Sequence, residues 1–220
     1  METLTRQYNR LLNHTSTKHI RHLYNEVSWG TRLVGIKGAR GVGKTTLMLQ
    51  RIKLAFPDTS KALYVSLDDI WFASHTLLDL AEMAEGKGIT HLFIDEVHRL
   101  PGWERQIKNV YDFCPDMSIV FTGSSLLEID QSTADLSRRC LMYSMPGLSF
   151  REYLAFEGLE LAKVSLQDIL YNHERLASEL TAGMDILKSF GKYLRHGFYL
   201  FYTNETEADY LTRVNNMVSS

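Results

Sequence analysis

Residues 33–49 of the chain read LVGIKGARGVGKTTLML, and this stretch determines the class of fold. An apolar run leads into a segment that contains three glycines, a lysine and two threonines, and a second apolar run follows. The first run has the length of a short buried strand, and residues 44–55 have the length and composition of a helix that ends at Phe56-Pro57. The sequence therefore predicts a strand, a glycine-rich turn and a helix in direct succession.

The turn matches the pattern of a phosphate-binding loop, Gly38-x-x-x-x-Gly43-Lys44-Thr45. Glycines let the backbone N–H groups converge on an anion, and the helix that follows adds the positive end of its dipole. Lys44 can reach the β- and γ-phosphates of a nucleotide, and the hydroxyl of Thr45 can ligate Mg²⁺. We therefore predict nucleotide binding by the following residues: Gly38, Ala39, Arg40, Gly41, Val42, Gly43, Lys44, Thr45 and Thr46.

An acidic pair, Asp95-Glu96, follows the apolar run Leu92–Ile94 farther along the chain. Ligands of parallel sheets lie at the carboxyl ends of the strands, where two acids are costly unless they face a site. Asp95 is suited to hold Mg²⁺ through its water shell, and Glu96 is suited to act as general base on the attacking water. An adjacent glutamate favours hydrolysis over transfer to a small acceptor, although such a pair can also start a loop or cap a helix. The pair predicts a metal site and, with Lys44, a catalytic site.

Two further segments contain candidate catalytic residues. IVFTGSS, residues 119–125, ends in small polar residues, and Ser124 or Thr122 could place a hydroxyl against the γ-phosphate or the attacking water. Ordinary turn chemistry explains Gly-Ser-Ser equally well. In DLSRRCLMY, residues 135–143, Arg139 could stabilise transition-state charge in cis or across a subunit interface. The alternative for this segment is a solvated basic pair at the start of a strand.

Strand-like and helix-like segments alternate between residues 30 and 148. This regular alternation predicts an α/β fold whose parallel sheet is covered by helices on both faces. We expect a helical segment over residues 1–29, because its apolar residues recur at helical spacing. Only helix-like segments follow the core, so we predict a helical region over residues 149–220. This region begins with a capping box formed by Ser149 and Glu152.

The bulk properties are those of a globular protein, with 45% hydrophobic and 23% charged residues among 220 and a formal net charge of −2. This charge gives no global argument for nucleic-acid binding. No apolar run is long enough to span a bilayer, and the chain begins without the apolar core of a signal peptide. Cys114 and Cys140 lie far apart and suit a reducing compartment. We therefore expect a cytoplasmic protein without membrane contact, and a natural chain that continues beyond Ser220.

With these motifs in order, the chain resembles the AAA+ ATPases, and more narrowly a bacterial and archaeal family of AAA ATPases. The similarity spans residues 30–202 and rests on these blocks: GARGVGKTTL, YVSLDD, LFIDEVHRLPGWERQIKNVYD, IVFTGSS, LSRRCLMYSMPGLSFREYL and KYLRHGFYLF. The resemblance implies a P-loop NTPase fold with a five-stranded parallel sheet of order 5-1-4-3-2 and a small helical lid. It also implies ATP and Mg²⁺ as cofactors. In relatives, a C-terminal domain similar to PD-(D/E)XK nucleases often follows.

The resemblance implies the roles given above for the loop, the acidic pair and Arg139. The chain departs from its relatives at two positions. Relatives usually have glycine before the arginine of the fifth-strand motif, where this chain has Arg138, so either arginine could be the finger. Relatives also tend to have proline near the lid glycine, where this chain has Tyr199. The geometry of the lid and the packing of the adenine therefore do not follow from the resemblance.

We predict an ATPase that hydrolyses ATP with Mg²⁺ and couples its nucleotide state to conformational change, with ATP and ADP as ligands. The alternatives are a slow or non-hydrolysing nucleotide switch, a P-loop kinase, and nucleic-acid remodelling. A protein partner, or self-association through Arg139, is expected if the finger acts in trans.

Overall fold

A computed structural model describes residues 1–124, 136, 138–204 and 206–218. Five strands of this part of the chain form one sheet: β1 Leu33–Lys37, β2 Ala62–Ser66, β3 His91–Asp95, β4 Ser118–Gly123 and β5 Leu141–Ser144. The order across the sheet is β2-β3-β4-β1-β5, and every neighbouring pair is parallel. This is the order 5-1-4-3-2 counted from the other edge, so the α/β fold and its predicted topology are confirmed.

The central strands are short apolar runs that are buried almost along their whole length, which is typical of a parallel sheet. The edge strand β5 differs, because its first and last residues, Leu141 and Ser144, are exposed. β1 and β3 lie on either side of β4, so the segments that follow these two strands emerge at one edge of the sheet. The topology therefore brings the phosphate loop and the acidic pair to the same edge, the carboxyl edge.

Helices connect the strands, since parallel neighbours need crossover connections. In the first part of the chain these helices are α2 Lys44–Ala55, α3 Leu77–Glu85 and α4 Trp103–Phe113, and a further helix, α1 Glu2–His14, precedes β1. α4 illustrates why they form: it buries Trp103, Ile107 and Val110, spaced by three or four residues along one face. α1 packs against β2 and α2, and α3 packs against α4.

The helical prediction for residues 1–29 is wrong in part, because α1 ends at His14. Thr15 adopts an extended conformation, and its hydroxyl donates to the carbonyl oxygen of Leu11 at 2.8 Å. The chain that follows is held by Gln50 of α2, whose Nε2 donates to the carbonyl oxygens of Ser16 and His19 at 2.8 Å each. A tertiary contact from a distant residue thus outweighs the helical spacing of the apolar residues here.

The chain divides into two compact units, Met1–Pro146 and a second unit that begins at Gly147. The described part of the second unit contains the helices α5 Phe150–Phe156, α6 Leu166–Thr181, α7 Ile186–His196 and α8 Glu207–Val218. The predicted capping box at the start of α5 is confirmed: Ser149 Oγ accepts from the Glu152 N–H, and Glu152 Oε2 accepts from the Ser149 N–H. Within the predicted helical region, residues 205, 219 and 220 lie outside the described residues. None of the helices in the described ranges has the length and apolar character needed to cross a membrane.

Gly35 at the centre of β1 provides a test of the packing between neighbouring strands. A methyl group at this position would overlap Met142 of β5 and the ring of Phe121 of β4, the two residues that pair with Gly35. Overpacking of this kind costs about 1–3 kcal/mol, so we expect Gly35→Ala to lower the free energy of unfolding by that amount in urea denaturation. Gly30→Ala is the matched control, because nothing lies within 4 Å of its added methyl group. An unchanged stability of Gly35→Ala would contradict the described packing.

Candidate nucleotide-binding site

The predicted phosphate-binding loop begins where β1 ends and closes at the first turn of α2. Gly41 and Gly43 have φ angles of 84° and 100°, a left-handed conformation that residues with a Cβ rarely adopt. Gly38 is needed for a different reason, since a Cβ there would overlap the backbone carbonyl oxygen of Met145. The glycines of the motif therefore permit a tight loop whose N–H groups can surround an anion at the amino end of α2.

Lys44, the first residue of α2, folds its side chain back over the loop. Its Nζ donates to the carbonyl oxygens of Gly38 at 2.8 Å and Ala39 at 3.0 Å, and the residue is only 4% exposed. Burial lowers the pKa of Lys44, while the negative charges of Glu96 and Asp95 act to raise it. The ammonium group thus lies over the loop, where phosphate oxygens could replace the two carbonyls as its acceptors.

Thr45 and Asp95, the two predicted metal ligands, are in contact. The Thr45 hydroxyl donates to Oδ2 of Asp95 at 2.5 Å, and Asp95 is buried at the end of β3. A hydroxyl and a carboxylate are the hard oxygen donors that suit Mg²⁺, which takes few protein ligands and completes its shell with phosphates and water. The described residues contain no cluster of three or more His, Cys, Asp and Glu side chains that could hold a metal ion. The hydroxyl of Thr45 and the carboxylate of Asp95 fit a Mg²⁺ ion that is bound together with a nucleotide.

Asp95 accepts further hydrogen bonds that the sequence did not predict. The phenol of Tyr64 in β2 donates to Oδ2 at 2.8 Å, and the hydroxyl of Thr122 in β4 donates to Oδ1. Burial, followed by the nearby negative charge of Asp95, raises the pKa of Tyr64, so this phenol keeps its proton and remains a donor. No local signal in the sequence identified Tyr64, because its contact follows from the pairing of β2 with β3: Ser66 lies opposite Asp95, and Tyr64, two residues earlier, is on the same face as Ser66.

Glu96, the predicted general base, follows directly after β3 in an unusual conformation. Its φ and ψ of 53° and 43° make it the one non-glycine residue with positive φ in the described part of the chain. The single hydroxyl hydrogen of Ser124 is shared between the two oxygens of the Glu96 carboxylate, at 3.0 Å to Oε1 and 2.8 Å to Oε2. Backbone conformations of this kind persist where the surrounding contacts hold them, often at functional sites.

His98 is a second neighbour of Glu96, and no motif of the sequence pointed to it. Its Nε2 lies 3.3 Å from Oε2 of Glu96, and its Nδ1 accepts from the backbone N–H of Ser124 at 3.4 Å. Because Nδ1 accepts, the proton of neutral His98 is on Nε2, where it faces the carboxylate. Ser124 and His98 together therefore orient Glu96. Ser125, the last residue of the predicted turn, lies outside the described residues.

A buried arginine supports the loop from outside the motif. Arg21 is 4% exposed, and its guanidinium donates to the carbonyl oxygens of Val42 at 2.6 Å and Pro146 at 2.8 Å. It thus connects the middle of the phosphate loop to the chain that follows β5. Nothing in the spacing of the sequence identified this contact. Of the other loop residues predicted to bind nucleotide, Arg40 and Thr46 are exposed.

Arg139 lies away from this site, at the opposite edge of the sheet. It is two residues before β5, whereas the phosphate loop follows Lys37, which pairs with Ser144 at the other end of that strand. At about 3.3 Å per residue, the strand alone separates the two ends by roughly 10 Å. The Arg139 guanidinium makes an ion pair with Asp112 at 3.3 Å and lies 5.7 Å from the ring centre of Tyr111. The structure therefore does not bring Arg139 to the nucleotide site of its own chain.

Comparison with known proteins shows to which protein family the chain belongs. Residues 30–154 match the family model described as AAA domain, a match that covers more than half of the chain. The chain therefore belongs to this AAA family, and by its fold and loop motif it is a P-loop protein. A segment of 132 residues is also 28% identical to MJ1544 of Methanocaldococcus jannaschii, a protein described as uncharacterized. This segment makes up 58% of the chain and 29% of that relative, so the chain spans less than a third of the relative's length.

Solved structures provide further similarities. AMPPCP-bound DnaA from Aquifex aeolicus is 15% identical, with a TM-score of 0.38, and the match covers 87% of this chain and 65% of that chain. The Hsp104:casein complex of S. cerevisiae is 20% identical, with a TM-score of 0.47 and coverage of 69% and 31%. A katanin structure is 20% identical, with a TM-score of 0.43 and coverage of 67% and 51%. Similarities at this level do not extend to activity or partners.

Lys44→Ala tests the assignment of the phosphate loop. A nucleotide at a hundred times its dissociation constant stabilises a folded protein by about 2.7 kcal/mol, which raises its midpoint of thermal unfolding. We expect ATP to raise the midpoint of the wild type and to leave that of Lys44→Ala almost unchanged, because the ammonium that meets the phosphates is lost. Lys87→Ala, which removes an exposed lysine that precedes β3, should keep the full shift. Equal protection of Lys44→Ala and the wild type would show that the loop is not the binding site.

Proposed function

We propose that the protein binds ATP with Mg²⁺, hydrolyses it to ADP and phosphate, and couples its nucleotide state to conformational change. The observation that carries the proposal is the juxtaposition, at one edge of the sheet, of the loop with Lys44, the Thr45–Asp95 pair and an oriented Glu96. Membership in the AAA family supports the choice of ATP as the nucleotide. The coupling to conformational change is supported by the resemblance to AAA+ ATPases.

Each residue of the proposed site has one task in hydrolysis. The loop N–H groups and Lys44 would bind the phosphates and balance the charge that develops on them. Glu96 would take a proton from the attacking water, and the hydrogen bonds from Ser124 and His98 would keep its carboxylate in place. Thr45 and Asp95 would hold Mg²⁺, which would neutralise part of the negative charge of the phosphates.

We propose further that an arginine at the amino edge of the sheet acts on a neighbouring copy of the chain. Arg139 is separated from its own phosphate loop by the length of β5, so it could reach a nucleotide only on a second subunit. Release from Asp112 would free its guanidinium for that contact. Arg138 is exposed and is the alternative finger. This arrangement would make ATP hydrolysis depend on self-association.

Glu96→Gln separates binding from hydrolysis. Because the amide cannot accept the proton, we expect turnover of Mg-ATP to fall by about 10²–10⁴-fold while ATP still raises the thermal midpoint as it does for the wild type. Glu82→Gln, which neutralises an exposed carboxylate on α3, should retain wild-type turnover. If the wild type and Glu96→Gln both bind ATP and neither turns over, the protein is a nucleotide-dependent switch rather than an ATPase.

A mixing experiment tests the arginine. Lys44→Ala should be inactive because it cannot bind ATP, and Arg139→Ala should lose about 10³-fold or more in turnover if Arg139 is the finger. In a mixture of the two variants, an intact loop can meet an intact arginine across the interface, so we expect part of the activity to return. Arg138→Ala serves as the comparison. Full activity of Arg139→Ala together with loss in Arg138→Ala would move the role to Arg138, and full activity of both would refute a finger in this segment.

A further inference from the structure

The carboxylate of Asp95 is surrounded by donors from four parts of the fold. Oδ2 accepts from Thr45 of α2 and Tyr64 of β2, and Oδ1 accepts from Thr122 of β4 and from the backbone N–H of Glu96 at 3.0 Å. Each carboxylate oxygen therefore has two donors. Each oxygen has one donor from a neighbouring strand, and the two strands lie on opposite sides of β3.

The donors from the strands differ from the others in what they can do during the reaction. Thr45 belongs to the phosphate loop and is itself a predicted metal ligand, so its hydroxyl oxygen has a second task. Tyr64 and Thr122 are buried in the sheet, with exposures of 6% and 0%, and the hydroxyl of each donates to Asp95. These hydrogen bonds allow the two hydroxyls to act on the site through Asp95, in the way that residues behind a metal ligand orient it.

We propose that Tyr64, together with Thr122, is a positioning residue for the magnesium site. The two hydroxyls donate to the two oxygens of Asp95 from opposite sides and thereby fix the plane of its carboxylate toward Thr45. The inference rests on the proposed function, because it takes Asp95 and Thr45 as the residues that hold Mg²⁺. Rotation of the carboxylate would break both strand-borne hydrogen bonds at once. Such bonds to a charged acceptor are also what make its burial tolerable.

Tyr64→Phe tests the proposal, because it removes the phenol oxygen and keeps the ring in the sheet. The measurement is the magnesium factor, defined as the affinity for the nonhydrolysable analogue AMPPCP in saturating Mg²⁺ divided by its affinity in EDTA. Loss of an orienting contact behind a metal ligand costs about 10–100-fold in metal affinity, so we expect the magnesium factor to fall about tenfold or more. The affinity in EDTA should stay at the wild-type value. Damage to the loop would instead lower both affinities together and leave the factor unchanged.

Tyr8→Phe is the matched control. Tyr8 is also buried, and its hydroxyl donates to the carbonyl oxygen of Thr59 at 3.1 Å rather than to Asp95. Its removal deletes one hydrogen bond of a buried tyrosine in the same unit, so the cost to stability is comparable and the magnesium factor should not change.

A pair of variants at Thr122 tests the hydrogen bond that β4 donates to Asp95. Thr122→Val removes the donor at nearly constant shape, whereas Thr122→Ser keeps a hydroxyl. We expect Thr122→Val to lower the magnesium factor about tenfold or more and Thr122→Ser to retain it. This pair decides the question if Tyr64→Phe does not fold.

Three results would overturn the proposal. A wild-type magnesium factor in Tyr64→Phe, or equal losses in Mg²⁺ and EDTA, would refute the role of Tyr64 while leaving the proposed function intact. Equal factors for Thr122→Val and Thr122→Ser would refute the role of Thr122. A wild-type factor of one, unchanged by Asp95→Asn, would show that Asp95 does not serve the metal, and the positioning role would be refuted together with that part of the proposed function.

Discussion

The burial of one negative charge organises the carboxyl edge of the sheet. Asp95 is 2% exposed, and a buried carboxylate is tolerated only when its oxygens are paired or hydrogen-bonded. Its donors come from α2, β2, β4 and the next backbone N–H, so elements that are distant in sequence must converge for the charge to be accommodated. The same contacts leave the carboxylate beside Thr45. The hydrogen bonds that allow the charge of Asp95 to be buried are thus the same ones that build the proposed metal site.

The charged groups of the proposed mechanism lie at two opposite edges of the sheet. At the carboxyl edge, Lys44 faces the negative charges of Asp95 and Glu96, and the positively charged group and the acids partly balance each other before any phosphate arrives. At the amino edge, Arg139 is held by Asp112 and Tyr111. Parallel strands impose this separation, because all their carboxyl ends lie on one side. A site that uses both edges therefore requires two copies of the chain.

The sequence predicted the fold where local pattern and packing agree. The limits of α2 and the capping box at Ser149 follow from short-range rules, and the structure matches them. The prediction was wrong after His14, where the apolar spacing continues but Gln50 fixes the chain in another conformation. The order of the strands came from resemblance to a family rather than from the pattern itself, since alternation of strands and helices is compatible with several orders.

For this protein the sequence by itself determined the residue types that chemistry demands at fixed spacing: the glycines of the loop, Lys44 with Thr45, and the acidic pair. These could be identified because a short loop and a strand end place them through local geometry alone. Only the tertiary structure decided which side chains stand behind them, namely Tyr64, Thr122 and His98 around the acids. Such partners are brought together by strand pairing and register, and a hydroxyl or an imidazole within a strand or turn has no local signature that reveals what it will contact.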